Sequence, residues 1–152
     1  MLKNWQIFAL AMAGGLVLAQ SALAAGIDPA SVEFQTPGQI QWVRNAAGTN
    51  EQAVLFGDPN KPGPYVVRIK WLPGNMSRPH FHPNDRFFSV ILGTWWVGTG
   101  EKYDPEDTIP VPAGSYVIHH AGKIHYDGAK NEETIIQVSG IGPASCIPAE
   151  KH

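Results

Sequence analysis

Apolar residues along most of this chain come in short runs, separated every few residues by proline, glycine and Asx-rich turns. No window holds the i, i+3, i+4, i+7 spacing of an amphipathic helix. Runs rich in β-branched and aromatic residues predict strands at 40–44, 53–56, 65–72, 87–97, 108–111, 116–120 and 134–141. Turn signals between them include Gly57-Asp58-Pro59-Asn60, Pro73-Gly74, Pro83-Asn84-Asp85 and Gly98-Thr99-Gly100. Many short strands with no helix between them predict an all-β sandwich or barrel. Pro29, Pro37 and Gly38 interrupt regular structure at the start, so an extended N-terminal arm is expected there.

The N-terminal segment breaks this pattern. Lys3 precedes an apolar run from Ile7 to Ala19, and Ala22-Leu23-Ala24 has the small-x-small form of a cleavage site. Residues 1–24 thus read as a secretory signal peptide, and 25–152 as one domain. The expected location is periplasmic or secreted, with no membrane attachment after cleavage, since the run is short for a span. Eleven basic and thirteen acidic residues give a formal charge of −2, and 16% of residues are charged. A weak, mixed charge provides no footprint for nucleic acid. The single cysteine, Cys146, cannot form an internal disulfide. It reads as a tail residue packed on the barrel, an intermolecular disulfide partner or a soft metal ligand.

Chemistry concentrates in the histidines. Five of the six lie in two blocks, His80 with His82, and His119, His120 and His125. On a strand, residues i and i+2 share a face, so His80 and His82 can present two imidazoles to one ion. An H-x-H pair alone is weak evidence. Its surroundings strengthen it: Gly74, five residues, His80-Phe81-His82, three residues, Arg86, six residues, Gly93. Further on come Gly114, five residues, His120-Ala121-Gly122, two residues, His125, three residues, Ala129.

These segments resemble the two cupin motifs, G-x5-H-x-H-x3-E-x6-G and G-x5-P-x-G-x2-H-x3-N, at every spacing. The stretches LFGDPNKPGPYVVRIKW and IIQVSGIGP are similar to those of small exported bacterial cupins. The resemblance implies a double-stranded β-helix, a small jelly-roll barrel, with one divalent transition metal (Fe, Mn, Zn, Ni or Cu) held by His80, His82 and His125. It departs from the motifs at three positions. His120 replaces a proline and Ala129 an asparagine, while Arg86 stands where the family places a ligand glutamate.

Arginine has donors only and cannot ligate a metal. Strand parity nonetheless sends residue 86 to the face of His80 and His82. Four arrangements follow. The metal is held by three histidines with open positions; Asp85 swings in as a carboxylate ligand; Arg86 grips an acidic ligand with its planar fork; or the barrel binds without metal. His119 and His120 point to opposite faces, so one of them, His120 included, is a candidate extra ligand or proton shuttle near His125, against a plain surface-and-core pair. Met76 reads as a rim residue and Asp104–Asp107 as a solvated turn. Phe88 shares the parity of Arg86 and should line the cavity, giving an aromatic wall beside one cation.

Two functions remain in view. One is a metal-dependent enzyme acting on a small acidic or phenolic molecule, of dioxygenase, isomerase or lyase type. The other is a non-catalytic metabolite- or metal-binding barrel in which Arg86 replaces the ligand glutamate. The surplus of aromatics and the N-terminal arm suggest a homodimer.

Overall fold

The computed structural model describes residues 26–151. The expected signal peptide lies outside them. Among the described residues no helix is long and apolar enough to cross a membrane. Residues 26–34 belong to a unit of their own, in which the Asp28 carboxylate accepts from Ala30 N and Ser31 Oγ, each at 2.9 Å. The second unit begins at Gln35. Within the region expected as an extended arm, Pro37–Gln39 form a 3-10 turn, where Gln39 Oε1 accepts from Thr36 N.

Eleven strands follow: β1 Val43–Arg44, β2 Asn50–Phe56, β3 Gly63–Trp71, β4 His80–Phe81, β5 Arg86–Leu92, β6 Thr94–Thr99, β7 Ile109–Pro112, β8 Tyr116–His119, β9 His125–Gly128, β10 Thr134–Gly142 and β11 Ile147–Pro148. All pairings are antiparallel. One sheet runs β1-β2-β3-β10-β5-β8 and the other β11-β4-β9-β6-β7. This is the double-stranded β-helix. Period-two burial places Tyr65, Val67 and Trp71 of β3, Phe88 and Val90 of β5, and Ile136 and Val138 of β10 in one core with Trp95 of β6. Fully burying such a side chain contributes about 1.5–3 kcal/mol.

The strand expected at 87–97 is two strands in different sheets. Gly93 divides it, with a φ of +72° that L side chains rarely adopt. A Cβ there would lie 2.4 Å from Glu133 O. The chain therefore crosses from one sheet to the other at a glycine, as a tight corner requires. Thr134, fully buried, secures the corner by donating its hydroxyl to Thr94 O at 2.8 Å. Trp42 and Trp96 lie under Lys70 and Lys130 in cation–π contacts, not in the core.

Candidate metal centre

His80 and His125 are direct cross-strand partners on β4 and β9. Their ring centroids are 4.5 Å apart. His82, two residues beyond His80, returns to the same face, its ring 5.0 Å from His80 and 5.6 Å from His125. All three are at most 9% exposed. The three rings thus lie close together, while the donor sets that come within 4.8 Å are His80 with His82 and Cys146, and His80 with His125 and Asp127.

Backbone carbonyls fix how these rings are used. Each Nδ1 sits on a carbonyl oxygen: His80 on Arg78 O at 2.8 Å, His82 on Ser145 O at 2.7 Å and His125 on Lys123 O at 3.0 Å. A carbonyl can only accept, so Nδ1 carries the proton and Nε2 keeps its lone pair in the neutral ring. Such carbonyl partners orient histidine rings as metal ligands. The Nε2 of His125 is buried with no hydrogen-bond partner. An unsatisfied buried acceptor costs about 1–3 kcal/mol, a cost that coordination removes. Burial, reinforced by the nearby Arg86 charge, pushes His82 down to about 3, and burial also lowers His125 despite the opposing pull of Asp127. Both rings are therefore neutral near pH 7, as ligands must be. Imidazoles with this geometry fit a borderline divalent metal.

Arg86 points inward as its parity requires. It is the cross-strand partner of His119 between β5 and β8. Its Nη1 donates to His82 Nε2, and its guanidinium carbon lies 5.1 Å from the centre of the Phe88 ring. Phe88 is 2% exposed and lies against Trp95 and His119.

His119 is the inward member of its pair. Its ring is 3.9 Å from that of His125 and stacks on Trp95 at 5.2 Å, with both nitrogens buried and without hydrogen-bond partners. Burial, followed by the charges of its His125 and Arg86 neighbours, pushes it down to about 2. The core member of the expected surface-and-core pair is therefore His119, and it packs among aromatic rings without a hydrogen-bond partner.

Two candidate extra ligands stay outside. Asp85 and His120 are exposed and face each other at 3.9 Å. Asp85 has the opposite parity to Arg86 and accepts from Ala121 N at 2.7 Å, which ties the turn of the first motif to that of the second. His120 points away from His125 for the same reason of alternation. Met76 forms an isolated bridge with Gly128 and reads as structure. In the acidic loop, Asp104 accepts from Glu106 N, and the Asp104 and Asp107 carbonyls accept from the Tyr126 hydroxyl.

The carboxylate missed in the sequence is Asp127. It lies two residues past His125 on β9, which puts it on the same face; that spacing was the available signal. It is 7% exposed and accepts from Trp95 Nε1 at 3.1 Å. Donor atoms of His80, His125 and Asp127 all lie within 4.8 Å of one another, and so do those of His80, His82 and Cys146. Burial raises the Cys146 thiol, partly offset by the positive charge of Arg86.

These groups open on a cavity of about 810 Å³. Its polar wall includes His80, His82, Arg86, Asp127 and Cys146, and its apolar wall Tyr65, Val67, Trp71, Phe88 and Ile136. Arg86 bonds His82 while Asp127 lies with His80 and His125, so a divalent ion there would meet a carboxylate as well as the guanidinium.

No protein-family model matches the chain, and no curated protein matches it. Solved structures do. The polyketide cyclase RemF from Streptomyces resistomycificus superposes with a TM-score of 0.65 at 14% identity, covering 80% of this chain and 87% of that one. An uncharacterized conserved protein with a double-stranded β-helix domain from Klebsiella pneumoniae gives 0.55 at 25% identity, over 72% and 91%. The DMSP lyase DddQ from Ruegeria pomeroyi gives 0.57 at 14% identity, over 74% and 64%.

Proposed function

We propose that this chain, a double-stranded β-helix of the cupin superfamily, binds one divalent transition metal at His80, His82 and His125 and acts as an enzyme on a small acidic or phenolic molecule. The observation that carries this reading is the common tautomer. Three Nδ1 atoms pair with carbonyls, which leaves each Nε2 as the acceptor; that of His125 is buried without a partner, and that of His82 takes Arg86 Nη1. Asp127 stands beside His80 and His125 as an added donor. The bound metal supplies Lewis acidity.

The protein's own groups do the rest. Arg86 holds a carboxylate or phenolate oxygen, a role suited to a guanidinium beside the metal ligands. Phe88 and the apolar wall take the carbon skeleton and exclude water. Trp95 orients Asp127 through its indole N–H. Among the structural neighbours, a cyclase and a lyase support an enzymatic role. Reaction type remains open between dioxygenase, isomerase and lyase. Export to the periplasm or beyond, and a homodimeric state, complete the proposal. Export is supported by the N-terminal sequence, dimerisation by the aromatic surplus.

One observation favours a second reading. Arg86 Nη1 sits on the His82 Nε2 lone pair, as it would in a barrel that binds a metabolite without metal. A screen of small carboxylic acids and phenols, run with and without added metal, under air and under nitrogen, tests the first reading. It predicts metal-dependent consumption of one acid or phenol. Binding that is indifferent to metal, with no turnover, supports the second.

A further inference from the structure

The C-terminal segment carries the softest donor near the histidines. Ser145 O receives His82 Nδ1, which fixes the next residue, Cys146, on the cavity wall. On its other side, Ile147 and Pro148 pair with Phe81 and His80 between β11 and β4. Cys146 is thus held from both directions against the strand that carries His80. One donor atom each from His80, His82 and Cys146 lies within 4.8 Å of the other two. Bonds of roughly 2.0–2.3 Å to a tetrahedral ion would bring such donors somewhat closer still. A separate observation points to a ligand beside the same His80. His125, only 4% exposed, has a buried Nε2 without a hydrogen-bond partner, and its ring lies 4.5 Å from that of His80.

We propose that Cys146 Sγ is a ligand of the metal, beside His80 and His82, making the centre a mixed imidazole–thiolate site. This rests on the metal reading above and deepens it by specifying the class of ion. Thiolate with imidazole favours zinc, cobalt or copper, whereas manganese and magnesium prefer oxygen donors. Binding releases the thiol proton to solvent and forms a sulfur–metal bond, with no change in oxidation state. The position that usually carries a glutamate ligand is thereby compensated from the C-terminal segment.

The test is cobalt(II) loading of reduced wild type and Cys146→Ser. Cys146 is exposed as a residue, so the serine variant should fold. Wild type should bind one cobalt per chain and show the intense near-ultraviolet thiolate-to-cobalt band. Cys146→Ser should retain cobalt through the histidines, lack the band and lose at least about tenfold in zinc affinity, the lower end of what losing even an outer-shell partner costs. Zinc should also slow alkylation of Cys146 in wild type. Stoichiometric cobalt without the band overturns the thiolate ligand and leaves the histidine site standing. A wild type that binds no cobalt overturns both.

Discussion

Arg86 Nη1 lies 2.5 Å from His82 Nε2, on the lone pair that a metal at His82 would use. The guanidinium and the ion are competitors for one atom. The Arg86 guanidinium also lies over the Phe88 ring and lines the cavity, where an acidic ligand would meet it. Arg86→Ala should leave metal content near wild type and weaken acid binding by about 1.5–3 kcal/mol, the worth of a charged hydrogen-bonded contact. Calorimetric titration of the metal-loaded proteins checks it. Equal affinity in both would remove Arg86 from the ligand's contacts.

The buried histidines make the chelator-treated protein acid-sensitive. His82 falls to about 3 and His119 to about 2, against an ordinary value of 6.5 in the unfolded chain. Below 6.5 the unfolded state takes up protons that the folded state refuses. Stability from these groups is therefore fully present above 6.5 and lost as pH falls toward 3. Each contributes a slope of up to about 1.4 kcal/mol per pH unit. Denaturant unfolding between pH 7 and 4.5 should show this loss, and His119→Leu should flatten it. An unchanged slope in that variant would count against a neutral buried His119.

Gly128 ends β9, the strand that carries His125 and Asp127. A Cβ there would lie 2.2 Å from Asn75 O and 2.5 Å from Met76 Cα, both backbone atoms. Gly128→Ala should cost about 1–3 kcal/mol through overpacking and weaken metal binding by displacing β9. Gly100→Ala is a useful contrast, since its Cβ would meet nothing within 4 Å although its φ of +97° carries backbone strain. If the two variants lose equal stability and both retain metal, crowding at β9 is not what Gly128 avoids.

Parts of this architecture were legible from apolar alternation. Tyr65, Val67 and Trp71 reveal β3, and Ile136 with Val138 reveals β10. The strands that escaped are β4, β9 and β11. In β4 and β9 the reason is functional, since they hold His80, His125 and Asp127 where an apolar residue would complete the pattern, whereas β11 is only the two residues Ile147–Pro148. The histidines became legible only through motif spacing, which carries no signal for Asp127 because the motif assigns that position no role. The Gly93 corner was hidden for a different reason: Phe87 to Val97 is apolar on both sides of it, and only the φ of the glycine separates the sheets.

A homodimer is expected, and the outward side of the β5–β8 pair gives a physical motive. Phe87 and Ile118 are cross-strand partners there, and Tyr116 is 64% exposed. Light scattering at micromolar concentration should give twice the chain mass. A monomer would contradict the expectation.

The central claim is a metal on His80, His82 and His125, and metal content measures it directly. Protein purified without a histidine tag should carry close to one transition metal per chain. Arg86→Ala should match it, Arg86→Glu should hold the ion more tightly against a chelator, and His125→Ala should be largely empty. A wild type that is empty while Arg86→Glu is loaded would show that the guanidinium, and not a metal, occupies the histidine cluster.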